Sequence, residues 1–127
     1  VLGAGDHGST FGGNPFATAV GLTVLTTLLE ERLPERAAKM GKLMVERLEG
    51  VRGRHPGKIT AVRGKGCLVG VDLVPPMADV VTGCRERGLL VLTAGDNTLR
   101  LAPALVLGEG DVSRAVEAIE GAVAAAK

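Results

Sequence analysis

The chain has 127 residues, of which 46% are hydrophobic and 23% charged, so it is long enough for one globular domain with a buried core. Its net charge of +1 and its two Phe residues, without Trp or Tyr, argue against a nucleic-acid partner, because that role needs excess cations and aromatic stacking faces. No apolar run approaches the ~20 residues that span a bilayer, so we expect no membrane partner either.

A glycine-rich stretch opens the chain. Residues 3–8 read Gly-Ala-Gly-Asp-His-Gly, which matches the G-x-G-x-x-G pattern of dinucleotide-binding folds. That pattern requires a preceding strand and a helix opening at the third glycine, yet only Val1 and Leu2 precede it and Gly-Gly-Asn-Pro follows. A P-loop fails as well, because Ser9 occupies the position of its lysine. Two readings stay open: a loop that caps the next helix, or an anion site built from backbone N–H groups and the hydroxyls of Ser9 and Thr10.

Two helices are predicted next, over residues 14–57. Asn14 as N-cap and Pro15 at the first position start the first helix, whose broad apolar arc predicts burial on more than one side. The second helix begins at Pro34-Glu35, with an inner stripe that includes Met40 and Met44. Its charged residues are expected to face water: Arg36, Lys39, Lys42 and Glu46.

Short runs rich in β-branched residues follow, and they predict strands at 59–62 and 67–74. A helix at 77–87, closed by Gly88, precedes two further strands at 89–93 and 98–101, which residues 94–97 join as a hairpin. A last helix runs from about 111 to 125. This order predicts an α+β fold with helices packed on one face of a small, mainly antiparallel sheet.

The cysteines and histidines indicate neither a disulfide framework nor a metal site. Cys67 and Cys84 lie too far apart for a C-x-x-C pair, and adding His7 and His55 produces no zinc-ligand spacing. We expect buried, reduced thiols and a cytoplasmic location. Val1 in place of an initiator Met indicates a piece of a longer protein.

Three blocks of sequence carry a resemblance to a known family. Gly5 to Ala17 read GDHGSTFGGNPFA, Val62 to Leu73 read VRGKGCLVGVDL, and Gly88 to Leu105 read GLLVLTAGDNTLRLAPAL. In order and spacing they resemble the C-terminal third of class III pyridoxal-phosphate aminotransferases, most closely the acetylornithine type. Departures such as Phe16, where the family commonly has Leu, affect local packing only.

The resemblance implies the fold of the C-terminal small domain of fold-type I pyridoxal-phosphate enzymes. It divides the chain into a phosphate-binding loop at 1–13, two helices at 14–57 and a sheet with helices at 58–127. The catalytic large domain would be absent from this chain.

The resemblance also assigns roles to residues. Thr10, with Ser9 beside it, matches the position that hydrogen-bonds the cofactor phosphate held by the other subunit of a homodimer; the alternative is that Thr10 only caps its loop. Arg100, in an L-R-x-x-P-x-L motif, matches the residue that binds the α-carboxylate of amino-acid and 2-oxo-acid substrates. A guanidinium fork suits a carboxylate, and the alternative is a structural ion pair, with Asp72 as the obvious partner.

Other polar residues are assigned structural roles. We interpret His7, a single histidine without a partner carboxylate, as structural, Lys65 as a solvent-facing turn residue, and Arg63 as a surface or interface charge. The family's Schiff-base lysine and the aspartate that holds the pyridinium nitrogen lie upstream of the matched region. None of the chain's lysines stands in that context, so we expect no catalytic residue here and weak or no binding of pyridoxal phosphate by this chain alone. The lysines are Lys39, Lys42, Lys58, Lys65 and Lys127.

The resemblance implies amino transfer between N-acetylornithine and 2-oxoglutarate, which serves arginine biosynthesis. A related ω-aminotransferase acting on ornithine, succinylornithine or 4-aminobutyrate is an alternative. A second alternative is a stand-alone, non-catalytic binding or assembly module whose first helix receives a partner.

Overall fold

A computed structural model describes residues 3–74 and 76–126 and divides the chain into two compact units, Val1–Leu33 and Pro34–Lys127. Four helices and one four-stranded antiparallel sheet confirm the predicted α+β class. In chain order the elements are α1 (Pro15–Glu30), α2 (Leu33–Arg54), β1 (Ile59–Lys65), β2 (Leu68–Leu73), α3 (Met77–Glu86), β3 (Leu92–Ala94), β4 (Thr98–Leu101) and α4 (Glu109–Ala125).

The start of α1 is the one that the sequence predicts. The Asn14 side chain accepts a hydrogen bond from the Ala17 N–H at 2.9 Å, and Pro15 occupies the first turn. The predicted burial of α1 is wrong for this chain, because no residue of α1 is buried and Phe16 is 80% exposed. The physical reason is that residues 3–32 form one loop and one helix and offer no second apolar surface for the arc to cover.

The sheet has the strand order β1-β2-β4-β3, and each neighbouring pair is antiparallel. Residues paired across antiparallel strands point to the same face, and successive residues alternate between faces. Val69 pairs with Leu101 and Val71 with Leu99, and all four are buried. We call this side the inner face. Its residues share one core with apolar residues of three helices, namely Met44, Leu48, Val80, Cys84, Val112 and Ile119.

Three element boundaries differ from the predicted ones by two residues or more. β1 continues to Lys65 because Gly64 and Lys65 pair with Val69 and Leu68 of β2. β3 begins at residue 92 rather than 89, since the residue 89 N–H donates to the residue 84 carbonyl at 2.9 Å and thereby ends α3. α4 begins at residue 109 rather than 111, because the residue 108 N–H donates to the carboxylate of residue 111 at 2.7 Å and caps the first turn.

The hairpin between β1 and β2 lies directly against α2. A Cβ added to Gly41 would stand 1.8 Å from the carbonyl oxygen of Gly66, which itself has a φ of 55°. Only a residue without a side chain allows α2 to approach this turn so closely. The contact sets the distance between α2 and the edge of the sheet.

We therefore predict that Gly41→Ala lowers the free energy of unfolding by about 2 kcal/mol or more, because the backbone of either the helix or the turn must shift. Gly53→Ala is the matched control on the same helix. Its Cβ meets nothing within 4 Å, so it is expected to be neutral or to stabilise by up to about 1 kcal/mol. Urea unfolding of both variants checks the prediction, and equal stabilities would contradict the close contact.

Two ionic contacts hold α4 against the end of α2 and the start of β1. Arg54 donates to both carboxylate oxygens of Glu120, at 2.7 and 2.8 Å, and the His55 Nε2 lies 3.1 Å from Oε1. Hydrogen bonding from Arg54, with a smaller contribution from His55, lowers the pKa of Glu120 to about 2. At the other end of α4, the Lys58 ammonium donates to the carbonyls of Val123, Ala124 and Ala126 at 2.7–3.1 Å. A cation there suits the negative end of the helix dipole.

The Glu120 contact predicts a pH dependence of stability. A carboxyl group whose pKa is lowered on folding stabilises above its usual pKa, near 4.5, and this stabilisation is lost as the pH falls toward 2. We expect wild type to be more stable than Glu120→Gln at pH 7, and this difference to shrink at pH 3 and to be lost as the pH falls below about 2. Glu117→Gln, on the exposed side of the same helix, is the control and should show no such trend. A Glu120→Gln difference that does not change with pH would contradict the account.

No helix within residues 3–74 and 76–126 has the length and apolarity required to cross a membrane. Over the same residues, no three His, Cys, Asp or Glu side chains gather closely enough to hold a metal ion.

Candidate functional site

The face of the sheet opposite the core carries most of the unit's polar strand residues, and we call it the outer face. The register places Arg63, Gly70 and Arg100 side by side on β1, β2 and β4. One pleat further along, Asp72 on β2 lies directly opposite Thr98 on β4. Asp72 is therefore the diagonal neighbour of both arginines, at a spacing that long side chains can cross.

The structure shows which arginine Asp72 binds. Arg63 Nη1 donates to Asp72 Oδ2, and Arg63 Nη2 donates to Thr98 Oγ1 at 3.3 Å. The Thr98 hydroxyl in turn donates to Asp72 Oδ1 at 2.5 Å, so the three side chains form a closed cluster. Hydrogen bonds from Arg63 and Thr98 hold the pKa of Asp72 below its usual range. Arg63 is thus an exposed charge, as expected, but one with a defined partner.

Gly70 makes this arrangement possible. A Cβ at that position would lie 3.9 Å from both Cγ and Cζ of Arg63 and 3.1 Å from Cγ2 of Thr98. The Arg63 side chain therefore lies across β2 over the glycine, and a larger residue would crowd it. This cluster could not be predicted from the sequence, because the contacts among its three side chains depend on the register of the strands.

Arg100 has a different environment. It is exposed, and among the described residues no hydrogen bond or ion pair engages its guanidinium. Its neighbours Leu99 and Leu101 are buried on the inner face and fix the strand beneath it. The expected alternative, an ion pair with Asp72, is therefore wrong, since Asp72 is occupied by Arg63 and Thr98.

Arg100 also contributes to the wall of a cavity of about 540 Å³. Apolar residues of β3 and of the segment after β4 complete much of the wall, among them Leu92, Pro103 and Val106. Three further charged residues also line the cavity, namely Arg87, Asp111 and Arg114. A guanidinium without a partner suits an organic anion, because its fork receives a carboxylate in two parallel hydrogen bonds.

An arginine of α2 holds the segment that follows β4. Arg36 donates from Nε to the Leu107 carbonyl at 3.0 Å and from Nη2 to the Val106 carbonyl at 2.6 Å. Lys39 lies 3.3 Å from a carboxylate oxygen of Glu109 at the start of α4. Arg36 and Lys39 are both exposed, as predicted, but each also has a partner that the sequence did not indicate. Their contacts join residues about 70 positions apart, which helix periodicity does not reveal.

The glycine-rich loop of the first unit is held by its own side chains. The Gly3 N–H donates to Asp6 at 2.5 Å, and the Gly12 N–H donates to the Ser9 hydroxyl oxygen at 2.9 Å. The Thr10 hydroxyl is exposed and has no partner among the described residues. The Ser9 hydroxyl oxygen therefore stabilises the loop as an acceptor, and its O–H can still donate to a ligand. The Thr10 hydroxyl can both donate to and accept from a ligand. A loop with free hydroxyl donors fits a phosphate.

Comparison with known proteins identifies a family that this chain matches. The model of class III aminotransferases matches residues 1–123. The mitochondrial acetylornithine aminotransferase of Saccharomyces cerevisiae is 37% identical over 125 residues, which make up 98% of this chain and 30% of that protein. An ornithine aminotransferase of an Exiguobacterium species is 40% identical over 126 residues, 99% of this chain and 31% of that protein.

Solved structures of aminotransferases also match this chain. The crystal structure of acetylornithine aminotransferase from Elizabethkingia anophelis matches with a TM-score of 0.84 at 37% identity, over 97% of this chain and 33% of that one. The chain thus spans about 30% of the length of the curated relatives it matches.

Proposed function

We propose, since the chain belongs to the class III aminotransferase family, that it forms the C-terminal part of a transaminase of the acetylornithine type. The full-length enzyme moves an amino group between N-acetylornithine and 2-oxoglutarate in arginine biosynthesis. The similarity to acetylornithine aminotransferases over 98% of this chain supports the proposal. The two buried free cysteines suit a reducing compartment, so we place the enzyme in the cytoplasm.

Within that enzyme, residues 1–13 act as the phosphate-binding loop and the sheet region after residue 57 supplies the substrate-carboxylate site. The cofactor is pyridoxal phosphate, which when bound supplies the electron sink through which an amino group is transferred. The Thr10 hydroxyl, and the O–H of Ser9, would hold its phosphate across a homodimer interface. A hydroxyl-to-phosphate hydrogen bond is charge-assisted and so is stronger than one between neutral groups.

The observation that carries the proposal is the free guanidinium of Arg100 on the outer face. It binds and orients the substrate's α-carboxylate in two parallel hydrogen bonds, and this fixes the amino or oxo carbon relative to the cofactor. The same group serves both half-reactions, because the amino acid and the oxo acid share that carboxylate. Apolar residues of the cavity wall, such as Leu92 and Pro103, would contact the carbon atoms of the bound substrate.

Ornithine is the second candidate for the amino donor. The Exiguobacterium ornithine aminotransferase is 40% identical over 99% of this chain, a value similar to those of the acetylornithine enzymes. Both donors carry a free distal amine, but the α-amine is acetylated in N-acetylornithine and free in ornithine, so the two donors differ in charge. Side-by-side kinetics of the full-length enzyme with N-acetylornithine and ornithine separates them, and a higher kcat/KM for ornithine would replace the first proposal.

We predict that Arg100→Ala in the full-length enzyme raises KM for both the amino acid and 2-oxoglutarate by roughly 10- to 100-fold, as expected for loss of a charge-assisted hydrogen-bonded pair. Arg100→Lys keeps the charge without the fork and should fall between wild type and Ala. Arg85→Ala, an exposed arginine on α3, is the control and should leave both values unchanged. Unchanged KM for both substrates in Arg100→Ala would refute the assignment.

We predict that Thr10→Ala weakens retention of pyridoxal phosphate by roughly tenfold, because one charge-assisted hydrogen bond to the phosphate is lost. Thr10→Ser keeps the hydroxyl and should retain the cofactor nearly as well as wild type. Cofactor absorbance after dialysis measures this. Equal retention of the cofactor by wild type and Thr10→Ala would contradict a contact between Thr10 and the cofactor phosphate.

A further inference from the structure

The outer face brings one carboxylate within reach of two arginines. Asp72 lies diagonal to Arg63 on β1 and to Arg100 on β4, and both arginines flank the same residue, Gly70. Diagonal neighbours in an antiparallel sheet are close enough for long side chains to meet. Asp72 is thus placed to neutralise either guanidinium.

The hydrogen bonds of Thr98 and Arg63 determine which arginine Asp72 binds. Thr98, on the same strand as Arg100, donates to Oδ1 of Asp72 at 2.5 Å and so occupies the carboxylate oxygen on the β4 side. Arg63 takes the other oxygen, Oδ2, and also donates to Thr98 at 3.3 Å. Thr98 is buried and the Asp72 side chain is 19% exposed, whereas the Arg63 side chain is 59% exposed, so the carboxylate and the hydroxyl form the more enclosed part of the cluster. Each oxygen of Asp72 has a donor, and Arg100 is left without a partner among the described residues.

We propose that Arg63 and Thr98 are positioning residues that keep Asp72 away from Arg100, so that the Arg100 guanidinium remains free for the substrate carboxylate. This inference rests on the proposed role of Arg100. Arg63 need not touch the substrate in this account. Its role is to occupy the carboxylate that lies diagonal to Arg100 on the sheet and would otherwise compete with the substrate.

The first test uses kinetics of the full-length enzyme. Arg63→Met releases Asp72, which then competes for Arg100, so KM for both substrates should rise roughly two- to fivefold with little change in kcat, as the strength of a partly exposed ion pair allows. Adding Asp72→Asn removes the competitor, and the Arg63→Met/Asp72→Asn enzyme should return to a KM near that of wild type. A purely structural role predicts the opposite, since losing both partners cannot restore packing. Thr98→Val, which keeps the shape of the side chain, should act in the same direction as Arg63→Met.

Arginine side-chain NMR on the full-length enzyme, freed of cofactor, provides a measurement that needs neither cofactor nor substrate. The Nε–H signal of Arg100 should move in Arg63→Met, as a new ion pair forms, and return in the double variant. An unmoved signal would overturn the inference, as would a raised KM that Asp72→Asn fails to restore. If Arg100→Ala itself leaves KM unchanged, the proposed role of Arg100 fails instead, and the NMR result still decides whether Arg63 controls Asp72.

Discussion

Side chains alternate between the two faces of an antiparallel sheet, and the structure of the second unit depends on this constraint. On β2 and β4, every second residue enters the core, and the residues between them are thereby placed on the other side. Val71 and Leu99 fix the inner face, and the same register brings Asp72 opposite Thr98 and Arg100 beside Gly70. A slip of one residue would bury Arg100 and expose the leucines. Hydrophobic burial therefore determines the position of the proposed binding group.

The elements around the sheet maintain that register from both sides. Gly41 lets α2 rest against the β1–β2 turn, and Arg36 of the same helix binds the two carbonyls that follow the Arg100 motif. Lys58 and the Arg54–Glu120 pair hold α4. One helix, α2, therefore contacts both the turn before β2 and the segment after β4.

Features encoded by local chemistry were predictable from the sequence. The Asn14-Pro15 helix start, the short strand β2 and the hairpin that joins β3 to β4 each depend on neighbours close in sequence, and the structure confirms them. Features that depend on distant residues were not predictable. The contact of Arg36 with Val106, and the choice of Asp72 between two arginines, arise from packing and register. α1 is exposed although its apolar pattern predicts burial, because such a pattern indicates a preference for burial and not the presence of a covering surface.

The roles of Thr10 and Arg100 came from resemblance, and the structure adds physical conditions for them: a hydroxyl and a guanidinium that nothing in the described chain engages. The most direct measurement of the central claim is the intact mass and absorbance of the protein produced from its own gene. The account predicts a species roughly three times heavier than 13.0 kDa that carries pyridoxal phosphate, because the chain covers 30% of a related aminotransferase. A species of 13.0 kDa without cofactor would contradict it and would favour a stand-alone binding module.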